Sequence, residues 1–312
     1  MKIGIPVETV SGETRVAMVP GMVTAFTRLE HEVIIQKNAG AGSFISDEAF
    51  EKAGARIVDD APSLFGEADV VFKVQPPSAD EVKLMKDGAI YMGYLAPLAN
   101  HETLNAMNAK KVTSFATEFI PRISRAQSMD TLSSMATLAG YKAVLISANH
   151  LGKIFPLLMT AAGSIPPATT FVLGAGVAGL QAIATAKRLG SRVEAFDPRP
   201  AVEEQVKSLG ATFVHMEVPE ENVETTGGYA KQQSDAFLIA EQEAIGARLP
   251  KVDVIITTAA IFGKAAPILI TEAMVKMMKP GSVIVDLAIE GGGNCELSEL
   301  GKTVVKHGVT IV

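Results

Sequence analysis

The sequence predicts an α/β fold of two doubly wound domains with parallel sheets, joined by a long helix and separated by a cleft. Three observations lead there. Short apolar, β-branched runs alternate with helical stretches along most of the chain, the rhythm of a parallel sheet covered by helices on both faces. That rhythm stops near residue 130 and restarts after PPAT. The chain's 312 residues also exceed one ordinary core, whereas two domains of about 150 residues suit the length. Residues 1–130 are therefore assigned to an N-terminal α/β domain and 131–312 to a second one.

In the first half MKIGIP, HEVIIQ, ARIVD, DVVFKV, AIYMGYL and VTSFATEF read as strands, being rich in Val, Ile and aromatics. PGMVTAFTRLE, SDEAFEKAG, SADEVKLMKDG and NHETLNAMNAKK lie between them with helical periodicity. The second and third open at Ser and close at Gly, and the fourth opens at Asn, all plausible cap positions. In the second half TTFVLGA is a strand, GLQAIATAKRLG a helix ending at Gly190, and SRVEAFD the next strand. KVDVIITTAA, GSVIVDLA and GVTIV are nearly continuous β-branched runs, as strands buried on both faces should be. The linking helix is predicted from Ser128 to about Asn149, roughly 33 Å at 1.5 Å per residue.

Composition narrows the function classes. A net charge of −6 argues against nucleic acid, whose binding needs a basic face. The single cysteine, Cys295, excludes an internal disulfide, and the five histidines lack metal-ligand spacing. MKIGIP begins directly with a strand-like run and carries no signal-peptide pattern. Residues 154–186 contain no charged side chain, a stretch longer than the roughly 20 residues of a membrane helix. Pro166, Pro167 and the glycines at 163, 174, 176 and 179 interrupt it, so a buried strand followed by a buried helix is expected instead.

The strongest chemical signal is Gly174-Ala175-Gly176-Val177-Ala178-Gly179. Alone the pattern is weak. Here it follows an apolar strand and opens a helix, and Asp197 ends the next strand, which is the context of a Rossmann-like dinucleotide fingerprint. Gly174 allows the tight turn, Gly176 lets backbone approach a pyrophosphate, and Gly179 lets helix and strand pack closely. The helix N-terminus supplies N–H groups to the phosphates. Asp197 is expected to accept hydrogen bonds from the adenosine ribose and so to favour NAD(H), while Arg199 pulls weakly toward a 2′-phosphate. The bland alternative is a glycine turn kept for packing alone.

A second cluster opens the long helix: Arg122, Arg125, Gln127, Ser128, Asp130, Ser133 and Ser134, in a chain only 20 % charged. Gln127, Asp130 and Ser133 are spaced by three and so share one helix side. Asp130 and Ser133 can hydrogen-bond a carboxamide, and Arg122 can reach it from the preceding loop. Helix capping by Ser128, with Asp130 at the positive end of the dipole, explains part of the cluster. It does not explain Arg122, Gln127 and Ser133 together.

With RISRAQSMD and LSSMATLAGYKAV as the most specific elements, and GAGVAGL, AFDPRP, GGYAKQQSDAF, PGSVIVDLA and GGGNCE in support, the sequence resembles the NAD(H)-binding component, domain I, of proton-translocating nicotinamide nucleotide transhydrogenases. The resemblance covers essentially the whole chain. It implies that Arg122, Gln127, Asp130 and Ser133 surround the nicotinamide and that Tyr229 in GGYAK closes over bound nucleotide. It implies NADH presented to NADP⁺ on a separate NADP(H)-binding domain, and a membrane-spanning domain that moves the proton. It further implies a homodimer, peripheral to a proton-pumping membrane on its cytoplasmic or matrix side, and residues that continue beyond GVTIV.

Two other functions fit the same residues. Alanine dehydrogenases share the two-domain fold, and Arg15 in ETRVA and Lys73 in VFKVQPP match that family's substrate-binding positions. The family's catalytic His follows a Tyr-Leu pair, where GYLAPLAN has Ala96, leaving no obvious acid–base group for oxidising an amine. The other is a non-catalytic NAD sensor that regulates a partner.

Overall fold

Parallel strands covered on both faces need apolar side chains on both faces, and the β-branched runs form such strands. The computed structural model describes residues 1–215, 234–261 and 263–312. The chain divides into two units, Met1–Thr131 and Leu132–Val312.

In the first unit, strands β1 (Lys2–Ile5), β2 (Glu32–Gln36), β3 (Arg56–Val58), β4 (Val70–Phe72), β5 (Ile90–Gly93) and β6 (Thr113–Ala116) alternate with helices α1 (Pro20–Thr27), α2 (Asp47–Lys52), α3 (Ala61–Glu67), α4 (Ala79–Leu84) and α5 (His101–Ala109). The sheet order is β3-β2-β1-β4-β5-β6, parallel throughout. Alternate residues of β2 face opposite ways. Ile34 enters the cluster of Leu64, Phe65, Val71 and Tyr91, while Val33 and Ile35 join Ile3, Ile5 and Phe50 on the other face.

Ser46 caps α2 through the Ala49 N–H, and Ser78 caps α4 in a capping box with Glu81. Three expectations fail here. Asn100 does not cap α5: its side-chain amide donates to the Leu95 carbonyl instead. Helix α4 stops at Leu84 because Met85 turns extended (ψ 152°), so Gly88 lies in the loop beyond. VTSFATEF leaves the sheet after Ala116 and closes in a 3₁₀ turn, Thr117–Phe119. Helix α3 has no counterpart among the sequence-based expectations. Pro62 sits in its first turn, where the missing N–H costs nothing, and Asp60 caps it through the Ser63 N–H.

A 3₁₀ turn, Ser124–Met129, precedes helix α6 (Thr131–His150). The chain breaks from helical geometry at Asp130 (ψ 89°). Ser128 is therefore not the cap, and Gln127, Asp130 and Ser133 do not line one continuous helix side. At 20 residues α6 is about 30 Å long.

The second unit continues with a hairpin, β7 (Leu158–Thr160) and β8 (Gly163–Ile165), then β9 (Thr169–Leu173), α7 (Val177–Arg188), β10 (Arg192–Phe196), α8 (Glu203–Ser208), β11 (Thr212–Phe213), α9 (Asp235–Gly246), β12 (Val254–Thr257), α10 (Glu272–Val275), β13 (Val283–Asp286), β14 (Val304–Lys306) and β15 (Val309–Ile311). Its sheet runs β11-β10-β9-β12-β13-β15-β14, parallel except for the β14–β15 pair at the edge. The charge-free stretch is thus only partly what the sequence suggests. Strand β9 and helix α7 are buried, but its beginning is an antiparallel hairpin with Leu157, Leu158, Met159 and Ile165 exposed.

Helix α6 shares a buried core with α7, Ala143 and Val144 joining Ala182, Ile183 and Ala186, and the two backbones come close at Gly140. A Cβ added at Gly140 would collide with the backbone carbonyl of Ala178.

Candidate dinucleotide site

Strands β9 and β12 are neighbours whose connections leave toward opposite sides, so the crevice at their carboxyl ends is the unit's topological switch point. The fingerprint turn follows β9 directly and occupies that crevice. Gly174 has φ +97°, a left-handed conformation that suits glycine. A Cβ at Gly179 would strike the Gly174 carbonyl oxygen, whereas Gly176 has open space where a Cβ would stand. Gly176 is the N-cap of α7, and the first helical bond runs from Leu180 N–H to the Gly176 carbonyl. The N–H groups of Val177, Ala178 and Gly179 precede it, unpaired within the helix, at its positive end. An open glycine below free N–H donors fits the pyrophosphate of a dinucleotide.

Asp197, just beyond β10, is buried and holds the turn: its Oδ2 accepts from the Ala175 N–H at 2.7 Å. Arg199 grips the same carboxylate as a fork, Nε to Oδ1 at 2.9 Å and Nη2 to Oδ2 at 2.8 Å, and adds its own backbone N–H at 2.9 Å. Sequence reasoning places both residues near an adenosine ribose without any hint that they pair.

Four further residues at this edge escape sequence reasoning. Thr258 donates to the Gly174 carbonyl at 3.1 Å and ties the fingerprint to the end of β12. Asp286, at the end of β13, accepts from Thr257 Oγ1, Ser298 Oγ and the backbone N–H groups of Ala288, Asn294 and Cys295. Asn294 is fully buried, donates to the Ala259 and Pro267 carbonyls and accepts from the Ala259 N–H. Together they clamp the GGGNCE loop over the end of β12. Glu241 lies on the buried face of α9, where burial and the nearby Asp197 charge push its carboxyl up to about 7. For Thr258, Asp286 and Glu241 the sequence signal is a polar residue directly after, or inside, an apolar run, whereas Asn294 follows three glycines.

Of the polar cluster, Arg122 and Asp130 come together as an ion pair at 3.6 Å. Gln127 is exposed on the 3₁₀ turn, and Ser133 is half-buried in the first turn of α6, its carbonyl accepting from Thr137 Oγ1 at 2.9 Å. Among the described residues, Thr131 Oγ1 at the head of α6 is buried without a hydrogen-bond partner. Tyr229 lies outside the described residues.

The corresponding edge of the first unit is closed by charge pairs. Lys73 Nζ is fully buried against Glu81 at 2.7 Å and Glu8 at 3.6 Å. Glu8 also accepts from the backbone N–H groups of Val74 and Gln75. Arg15 forks onto Glu13, and that hydrogen-bonded guanidinium holds the Glu13 carboxyl at about 2. Ala96, at φ +46°, gives its N–H to Glu118.

The described residues contain no group of His, Cys, Asp and Glu able to hold a metal ion and no helix long and apolar enough to cross a membrane. The second unit's order and glycine turn define a dinucleotide-binding α/β protein of the Rossmann type. Residues 4–139 match the alanine dehydrogenase/PNT N-terminal domain and residues 143–312 the alanine dehydrogenase/PNT C-terminal domain. The chain belongs to the alanine dehydrogenase/PNT family. Within it, the chain is 52 % identical to an NAD(P) transhydrogenase alpha-subunit polypeptide of Rhodospirillum rubrum, over its whole length and 83 % of that relative. A crystal structure of transhydrogenase from Sinorhizobium meliloti superposes with a TM-score of 0.89 at 44 % identity, covering all of this chain and 86 % of that one. The alanine dehydrogenase of Mycolicibacterium smegmatis is more distant, 33 % identical over 94 % of this chain and 74 % of that enzyme.

Proposed function

We propose that this chain is the NAD(H)-binding part of a proton-translocating transhydrogenase, presenting NADH for direct hydride transfer to NADP⁺ held by a separate domain. The observation that carries the reading is the open, N–H-lined glycine turn at the switch point of the second unit, in a chain 52 % identical to a transhydrogenase alpha subunit. The bound dinucleotide supplies the chemistry, since its nicotinamide carries the hydride. The protein's work is placement. Val177, Ala178 and Gly179 hold the pyrophosphate, and Asp197 reads the ribose. Arg122, Gln127, Asp130 and Ser133 orient the carboxamide, with the unpartnered Thr131 hydroxyl beside them in sequence as a further donor. Gln127 is uncharged and exposed, which suits a group facing a second nucleotide without trapping charge at the transfer point. Tyr229 is assigned to closing over the nucleotide.

The same reading assigns NADP(H) to a partner domain, proton translocation to a membrane-spanning partner, and a peripheral place beside that membrane. A homodimer belongs to it, supported by the exposed apolar hairpin of β7 and β8.

Alanine dehydrogenase activity finds less support. Ala96 offers no imidazole, and Lys73 and Arg15 are already engaged by carboxylates. The test is direct: purified chain is mixed with an NADP(H)-binding domain, and hydride transfer from NADH is followed. Transfer is expected. NADH binding without transfer would select the sensor reading, and deamination of alanine by the chain alone would select the dehydrogenase.

A further inference from the structure

Asp197 accepts four hydrogen bonds: from Ala175 N–H, Arg199 N–H, Arg199 Nε and Arg199 Nη2. An ionised carboxylate offers about four lone-pair sites, so this one has none left for a ribose hydroxyl. Two of the four donors are backbone groups, fixed by the fingerprint turn and by the loop after β10. The other two belong to one guanidinium and can leave together. An adenosine ribose brings two adjacent hydroxyl donors, the same number the fork would vacate. We propose that the Arg199 guanidinium occupies the place of the ribose diol in the free protein and is displaced by the 2′- and 3′-hydroxyls of NAD(H), so that Arg199 sets dinucleotide affinity and specificity. This rests on the reading of the fingerprint as an NAD(H) site.

The physical logic is one of charge and donor count. A carboxylate in so buried a place needs donors or a counter-charge, and the fork supplies both until ligand arrives. Exchanging a charge-assisted fork for two neutral hydroxyls is unfavourable by itself, so Arg199 holds NAD(H) affinity down and speeds release. A 2′-phosphorylated ribose has lost one of the two donors and brings negative charge toward Asp197. It cannot replace the fork.

The experiment titrates NADH and NADPH, by nucleotide fluorescence, onto the whole chain and its Arg199→Ala, Arg199→Lys and Asp197→Asn variants, with thermal melting to establish folding. Arg199→Ala is expected to tighten NADH about tenfold and to slow its dissociation. Arg199→Lys, which keeps a charge but cannot fork, should tighten it less and serves if the alanine variant does not fold. The gain should be confined to the nucleotide with a free diol. Unchanged or weaker NADH binding by folded Arg199→Ala, or an equal gain for NADPH, overturns the proposal. Asp197→Asn is expected to weaken NADH at least about tenfold. Unchanged binding there would remove the ribose from this carboxylate and bring down the fingerprint reading itself.

Discussion

The two units share a strand order around their first strand, β3-β2-β1-β4-β5 in one and β11-β10-β9-β12-β13 in the other, yet their switch points differ. After β9 the chain makes a glycine turn with open space and helix N–H groups facing it. At the equivalent switch point between β1 and β4, Lys73, just past β4, is buried and locked between Glu81 and Glu8, the latter just past β1. One crevice is arranged to receive charge from outside, while the other has satisfied its charge from within. On the function proposed above, the same fold hosts a binding edge and an internally paired one, and side-chain chemistry rather than topology decides which.

Replacing the buried cation tests the closed side and should have the largest effect. Lys73→Met leaves Glu8 and Glu81 buried without a counter-charge, a loss of about 3–5 kcal/mol by urea unfolding. If folded variant is recovered, its NADH affinity should match wild type, and a large drop would mean that the first unit's edge also binds nucleotide. On the open side, Gly179→Ala drives a methyl into the Gly174 carbonyl. NADH binding should fall by about a hundredfold, near 3 kcal/mol, measured by fluorescence titration, with the first unit's ion pairs untouched. Wild-type affinity in that variant would reduce the glycine turn to packing.

A subtler difference concerns Glu241, whose carboxyl sits at about 7 against an ordinary 4.5 because of burial and then Asp197. Between those values the folded chain keeps a proton that the unfolded chain has lost. Stability therefore falls as pH rises through this window. Glu241→Gln should remove the penalty, a gain of roughly 2–3 kcal/mol at pH 8 that vanishes near pH 4. Urea unfolding at the two pH values checks it, and an equal gain at both would show that ionisation is not the cause.

Much of the architecture is legible because parallel, doubly covered strands write themselves as unbroken β-branched runs such as VDVIIT and SVIVD. The glycine turn is legible too, since its steric demands act within six residues. Misreadings arise where local signals are ambiguous. Pro62 and Gly66 mask α3, although Pro62 sits in a first turn where it is tolerated. The hairpin at 158–165 reads as buried because hydropathy does not report whether an apolar side chain finds a neighbour. Ser128 has the chemistry of a cap, but the chain bends two residues later. The Asp286–Asn294 clamp and the Arg199 fork depend on long-range approach and on rotamers, and neither leaves a periodic trace.

The contact between Gly140 and the Ala178 carbonyl has a consequence for the molecule's mechanics. A glycine inside a helix ordinarily weakens it by about 1 kcal/mol relative to alanine, yet here any larger residue would pry α6 away from the start of α7. The two helix backbones therefore meet in direct contact, and Ser133 stands seven residues before that contact on the same helix. Position 140 should tolerate almost nothing, though it lies two turns from the nearest polar residue assigned to the nucleotide.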